Sequence, residues 1–425
     1  MENLDKVDTT TETEDVAAAR SALTPSETTA RAYLRSYLDR VKGGESGVLP
    51  VVAGLLLVSV IFQSANSNFL TAGNLVNLLV QAAVFSLLAM GMVFVLLLGE
   101  IDLSAGFVSG VGGVIMAELV KPLTGWPWWA AIAAGLITCA AIGLLQGSLI
   151  TRIGLPAFIV TLGGLLFWQG VMIKIVGEGG SLLIQDDVVN NIASGNLAPW
   201  AGWVLMLVIV GIYALTAWRH DYRRRAAGLV APPPSVTLAK SVAALLGGVA
   251  LVLLCNADRG RLVPVRGVPW VIILVFAVLA LWTYVLGRTK FGRYVYAIGG
   301  NIEAARRAGI NTAWIRTAAF GLCSLTAGIA GVVYASRLRS VSTALDGGTL
   351  VLYAVAAAVI GGTSLFGGRG KALAGVMGGI VIAAIDNGMG LLGFDASTKY
   401  MVTALVLLIA VTIDALSRRG KQVAR

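Results

Sequence analysis

Acids set among apolar residues are the first candidates for chemistry in this 425-residue chain. Glu100 and Asp102 lie in Gly99-Glu100-Ile101-Asp102-Leu103-Ser104, between two apolar stretches. A charged side chain at the centre of a bilayer costs roughly 2.5–3.5 kcal/mol on insertion scales, so such a break faces protein or a water-lined cavity. The same segment also reads as a plain turn in which Ser104 or Asp102 caps the next helix. Asp386-Asn387 falls inside another apolar run. An acid there marks a pathway or a packed contact with a polar neighbour. Glu100, Asp102, Asp386 and Asn387 are therefore the candidate lining of a translocation path. Gln81, Asn74, Asn77 and Gln169 can donate to substrate hydroxyls or join helices to one another.

Two further segments are rich in glycine. The first, from Gly361 to Lys371, ends in a Gly-Lys pair and invites comparison with a phosphate loop. That motif needs glycine five residues before the pair and Ser or Thr after it, where this chain has Leu365 and Ala372. ATP binding through such a loop is thereby not expected. The second runs from Gly287 to Thr312. Asn301 is a good N-cap, Glu303 suits the positive start of a helix, and Gly309 suits the position just beyond its end. A helix of about two turns is expected over 302–308. So short a helix is unstable alone, so a cap at each end implies something packed against it.

Other chemistry finds no residues to carry it. The one histidine, His220, sits in a basic loop, and Cys139, Cys255 and Cys323 fall in separate apolar runs as small hydrophobes. No metal site, no cofactor and no catalytic set is expected, so the chain does not read as an enzyme.

The elements that must position these residues are membrane helices. The chain is 57% hydrophobic and 13% charged, against about a quarter charged in soluble domains. The apolar runs are continuous rather than alternating, which favours helices over a barrel. The expected fold is all-α, a polytopic transmembrane bundle of about twelve spans embedded in membrane lipid. The predicted spans are 48–63, 74–98, 105–120, 126–150, 157–175, 203–218, 241–255, 268–286, 313–336, 350–360, 372–391 and 400–416. With the N-terminus inside, the cytoplasmic segments hold 24 of the 32 Lys and Arg residues. That bias places both termini in the cytoplasm and accounts for the net charge of +10 without nucleic acid. Trp126, Trp128 and Trp129 cluster at one proposed outer interface.

Residues 1–46 are polar and are expected to form a disordered cytoplasmic tail, with a possible interfacial helix over 30–42. The transmembrane domain is expected over 47–418 and a short cytoplasmic tail over 419–425. Within it, 287–312 is a cytoplasmic loop. The stretch 219–240, with Arg223-Arg224-Arg225 and then Pro232-Pro233-Pro234, joins two spans that read as an insertion over 196–262 on a ten-span core.

Glu303-Ala304-Ala305 followed by Gly309 resembles the cytoplasmic loop by which permeases of ATP-binding-cassette importers dock on their ATPase. The resemblance narrows with Gly99–Ser104, Leu155-Pro156-Ala157-Phe158-Ile159-Val160-Thr161-Leu162-Gly163, Arg288-Thr289-Lys290-Phe291-Gly292-Arg293 and Ala357-Ala358-Val359-Ile360-Gly361-Gly362-Thr363-Ser364. Together these look like the ribose/xylose-type monosaccharide permeases, over about residues 50–418. The extra pair of spans is similar to the xylose-type members. The resemblance implies an inner-membrane importer of a monosaccharide, a pentose such as xylose. It also implies a separate ATPase subunit, an extracytoplasmic sugar-binding protein and a permease homodimer. Asn301, Glu303, Ala304, Ala305 and Gly309 are then the ATPase-coupling residues. The alternative is an ion-coupled secondary transporter of a small polar solute, which also uses broken helices and a membrane acid.

Overall fold

The computed structural model describes residues 49–229, 231–260 and 264–423; the predicted tail 1–46 and its interfacial helix lie outside them. Apolar helices run through the chain in order: α1 (Leu49–Ala65), α2 (Ala72–Leu97), α3 (Ala105–Leu119), α4 (Trp128–Ser148, prolonged by a π-helical turn to Ile153) and α5 (Ala157–Val176). A short strand β1 (Ser181–Leu183) and helix α6 (Asp187–Ser194) precede α7 (Pro199–Ala226), α8 (Pro234–Asn256) and α9 (Trp270–Arg288). Two small helices, α10 (Lys290–Gly300) and α11 (Ile302–Arg307), lead into α12 (Thr312–Leu338). Strand β2 (Ser340–Ser342), α13 (Gly347–Ile360), α14 (Ala372–Leu391) and α15 (Ala396–Val423) complete the chain. The strands pair antiparallel, Leu182 opposite Val341.

Among the described residues, eight helices are long and apolar enough to cross a membrane: α2, α4, α5, α7, α8, α9, α12 and α14. Four shorter apolar helices, α1, α3, α13 and the Ala396–Ile409 part of α15, occupy the other predicted span positions. The chain is a polytopic helical membrane protein. Helix α3 has 15 residues and α13 has 14, which gives rises of about 22 Å and 21 Å against a hydrocarbon core of about 30 Å. Both are wrapped by protein along most of their length, so neither has to present a full span to lipid.

Helix α2 is the central element, with 89% of its apolar window buried. It packs against α14, α12 and α13, and α12 also lies against α3 and α4. Small residues let these backbones meet. A Cβ at Gly378 would stand 1.7 Å from the Ala357 carbonyl oxygen, and one at Gly331 would stand 1.8 Å from that of Ser109. Close helix contact through small residues is how membrane bundles gain packing energy where lipid removes the hydrophobic drive between helices. The outward faces are the reverse: Phe158, Ile159, Leu166 and Phe167 of α5 are exposed, as lipid-facing side chains must be. Trp126, Trp128 and Trp129 are exposed as well.

The described residues divide into two compact units, one containing 203–251 and the other 49–202 with 252–423. Within the smaller unit, α7 and α8 interlock where Met206 fills the space beside Gly248. The turn between the helices is shorter than the expected 219–240 loop. Arg223, Arg224 and Arg225 form the last turn of α7, and Pro234 opens α8, where its missing N–H costs nothing. Asp221 accepts a hydrogen bond from Thr237 Oγ1 at 2.7 Å, and Arg225 donates to the Pro232 carbonyl at 2.8 Å. Charge marked where the apolar span ends, while the helices themselves run on past that point.

Candidate functional site

Three segments far apart in sequence meet at one end of the larger unit: 98–104, 289–312 and 361–371. The middle one carries the predicted short helix, α11. Asn301 Oδ1 accepts from the Ala304 N–H at 3.0 Å, the expected N-cap. At the other end Gly309 adopts φ +79°, its N–H bonds to the Arg306 carbonyl, and the Ile310 N–H bonds to the Ala305 carbonyl. That pair of bonds is the Schellman closure, which glycine makes without the penalty a Cβ incurs. Only Ala305 of the helix is buried; Asn301, Glu303, Ala304, Arg306, Arg307 and Gly309 are exposed. Glu303 pairs with Arg306 at 3.0 Å, but both side chains are about 60% exposed, so the pair adds little stability and leaves both groups open to a partner.

Helix α10 departs from the cytoplasmic loop expected over 287–312. Its signal was present in the amphipathic spacing of Phe291, Val295 and Ile298 behind a Thr289 cap. The Thr289 hydroxyl accepts from the Gly292 N–H at 3.2 Å, and Val295 and Ile298 are buried. The end of this helix is fastened to its neighbours by backbone. A Cβ on Gly299 would lie 1.8 Å from the Leu97 carbonyl oxygen at the end of α2. That same oxygen accepts from the Gly368 N–H at 2.9 Å. The Tyr296 hydroxyl donates to the Gly370 carbonyl at 2.7 Å. The segment once comparable to a phosphate loop is thus a clasp holding α10 to the end of α2 and the start of α14.

Beside this clasp stand the two acids of the first break. Glu100 pairs with Arg316 of α12; Arg316 Nε donates at 2.7 Å and a terminal guanidinium nitrogen also donates to the same oxygen, Oε1. Burial pushes the Glu100 carboxyl above its ordinary value, and the charge and hydrogen bond of Arg316 pull it back only in part. Asp102 is fully buried; Oδ1 accepts from the Ser104 N–H at 3.0 Å and from the Ser104 hydroxyl at 2.6 Å, with the Gln146 amide 2.9 Å from that hydroxyl. In this conformation Asp102 organises the turn into α3 and faces protein on every side.

Asp386 and Asn387 belong to a different place, on α14 away from the clasp. Gln81 of α2 donates to Asp386 Oδ2, and Asn74 Nδ2 donates to Asn387 Oδ1 at 2.8 Å. The four candidate path residues therefore form two groups, Glu100 with Asp102 and Asp386 with Asn387. The coupling candidates form a third set, adjoining the first group. Sequence reasoning missed Arg316 and Tyr296, because a basic or aromatic residue at a helix end looks alike whether or not it has a distant partner.

Comparison with known proteins agrees with this architecture. The family described as the permease component of branched-chain amino acid transport systems matches residues 74–411. The chain is 34% identical to the xylose transport system permease protein of Escherichia coli K12 over 386 residues, covering 89% of this chain and 95% of the relative. It is 34% identical to the Haemophilus influenzae xylose transport system permease over 378 residues, 87% of this chain and 97% of the relative. The ribose import permease protein of Escherichia coli K12 is 32% identical over 364 residues, 86% and 92% of the two chains. No solved structure matches.

Proposed function

From the chain's membership of the permease-component family of branched-chain amino acid transport systems, we propose that it is the membrane-spanning subunit of an ATP-binding-cassette importer for a monosaccharide, a pentose such as xylose. The near full-length similarity to xylose and ribose permeases supports the substrate class. The observation that carries the mechanism is the exposed, doubly capped helix α11, joined through α10 to the ends of α2 and α14. A separate ATPase receives this helix in a surface groove, and closure of its nucleotide sites moves α11. The clasp at Gly299, Leu97 and Gly368 passes that movement to the packed pair α2 and α14. A sugar-binding protein delivers substrate on the opposite side, and a second permease copy completes the pathway.

In this reading Asp386 and Asn387 line the path from the far side, while Glu100 and Asp102 stand at its inner end, closed in the conformation described. Residues 196–262 are an appendage to a ten-span core, a reading supported by the compactness of 203–251 as a unit of its own. Uptake in cells should survive an uncoupler and stop when ATP is drained. Loss of uptake with the uncoupler, at constant ATP, would assign the chain to ion-coupled transport instead.

The chain lies in the bacterial inner membrane with both termini and the α7–α8 turn in the cytoplasm, because basic residues concentrate there. The native Cys139, Cys255 and Cys323 are at most 1% exposed and give no background to thiol labelling. Ala227→Cys and Gly420→Cys are expected to resist an impermeant maleimide in intact cells, whereas Leu123→Cys, at a site 95% exposed, reacts. Labelling of residue 227 alone would reverse the assignment of α7 and α8.

A further inference from the structure

The smaller unit is strongly cationic. Residues 203–251 hold one acid, Asp221, against Arg219, Arg223, Arg224, Arg225 and Lys240. Asp221 accepts from the Thr237 hydroxyl and Arg225 donates to the Pro232 carbonyl, so positions 221 and 225 mark the side of α7 turned towards α8. At 3.6 residues per turn, positions 219 and 223 lie on the opposite side. Arg219 and Arg223 are exposed there, and neither guanidinium has an ion pair or a side-chain hydrogen bond among the described residues.

What precedes these arginines on their own face is apolar. Val208, Ile212 and Leu215 share that face at helical spacing and all are exposed, as side chains that meet acyl chains are. The uncharged part of α7, from Pro199 to Trp218, rises about 30 Å, the thickness of the hydrocarbon core. Arg219 therefore stands where the acyl chains end. Arg223, one turn on, stands about 6 Å further out, within a headgroup layer of about 5–7 Å. Tyr222, exposed beside them, suits the same level. A lipid whose chains lie along this stripe brings its phosphate to two guanidinium groups that no described carboxylate pairs with. Guanidinium is planar, always charged and binds phosphate oxygens through paired N–H donors. With both cations uncompensated, a headgroup of net negative charge is favoured over a zwitterion, whose own cation is repelled.

We infer that the face of α7 formed by Leu215, Arg219, Tyr222 and Arg223 is a binding site for an anionic phospholipid of the surrounding bilayer. The two arginines hold the phosphodiester, and the apolar stripe takes an acyl chain. The site goes beyond the importer reading, because it needs neither a sugar nor an ATPase. It gives the α7–α8 pair a task of its own, which is to keep a charged lipid fixed to the chain.

The test is native mass spectrometry of the full-length chain in detergent, titrated with dioleoyl phosphatidylglycerol or dioleoyl phosphatidylcholine. The wild type is expected to bind the phosphatidylglycerol tenfold or more tightly than the phosphatidylcholine, since each basic residue at an anionic headgroup contributes roughly fivefold. Arg219→Gln with Arg223→Gln should bring the two lipids to within twofold of each other. Arg223→Gln alone should lower the preference threefold or more, and it tests the site where the double variant fails to fold. Arg225→Gln with Arg266→Gln removes the same charge at side chains that point elsewhere, to Pro232 and Asp258, and should keep the preference. No preference in the wild type, an equal preference in the folded Arg219 and Arg223 variants, or a loss of the same size in the Arg225–Arg266 control overturns the inference. Full displacement of the lipid by inorganic phosphate overturns it too, by making this a site for the free anion. A changed oligomeric state in the Arg219–Arg223 variant with lipid binding unaltered would instead make the face a contact between copies.

Discussion

A Gly309→Val permease is expected to lose sugar-stimulated ATP hydrolysis and uptake by tenfold or more while still inserting and packing its spans. Gly309 sits at φ +79°, where an L-residue pays roughly 1–2 kcal/mol and a β-branched one is a strong outlier. Nothing lies within 4 Å of the Cβ such a residue would add, so the change acts through backbone conformation and leaves the neighbouring spans untouched. A helix of six residues cannot absorb the loss, because its closure is a large share of what holds it. Glu303→Lys reaches the same end by another route. It reverses the charge at the helix start, worth about 0.3–1 kcal/mol to the helix itself, and opposes any basic group on the ATPase that the carboxylate meets. Co-purification of the ATPase in detergent separates a lost contact from a lost signal. Wild-type transport by both variants, with the ATPase retained, would remove α11 from the coupling role.

Arg316→Met is expected to cost about 3 kcal/mol or more, because it leaves the carboxylate of Glu100 buried without its partner. Glu100→Gln combined with Arg316→Met should recover most of that loss, since a neutral pair in the same space no longer carries an unpaired charge. The sign of the pH effect separates this from a plain packing defect. Burial already raises the Glu100 carboxyl above its unfolded value, and removing Arg316 raises it further. A raised carboxyl favours folding most at low pH, and that contribution is lost as pH climbs through the folded value. The single variant should therefore be more stable near pH 5 than near pH 8, with the dependence absent in the double variant. Thermal unfolding followed in detergent reads both; equal stability at the two pH values would show that Glu100 carries no buried charge.

The sequence made most of the spans readable, because a helix in lipid announces itself by an uninterrupted apolar run. It also disclosed α11 to within a residue, since Asn301 and Gly309 act on backbone within one turn of themselves. What it did not disclose is long-range. The Gly361–Lys371 segment looked like a failed phosphate loop, and nothing local says that Gly368 bonds to Leu97 or that Tyr296 reaches Gly370. Glu100 and Asp102 looked equivalent, yet one found Arg316, 216 residues away, and the other found Ser104 two residues on. Helix α10 was hidden by its charges: Lys290 and Arg293 read as a solvated loop while Phe291, Val295 and Ile298 carried the helical period.

The separation between Glu100 and Arg316 has a consequence for biosynthesis. A ribosome adding 5–20 residues per second needs roughly 10–40 s to make the 216 residues between them. Strand β1 likewise waits for β2, and α2 waits for α14. The first half of the nascent chain thus enters the bilayer with Glu100 unpaired, and α2 lacks the helices α12, α13 and α14 that cover it until the second half follows. Early products need shelter from lipid at the translocation machinery, and chains truncated before α12 should be degraded rather than accumulate as half-permeases.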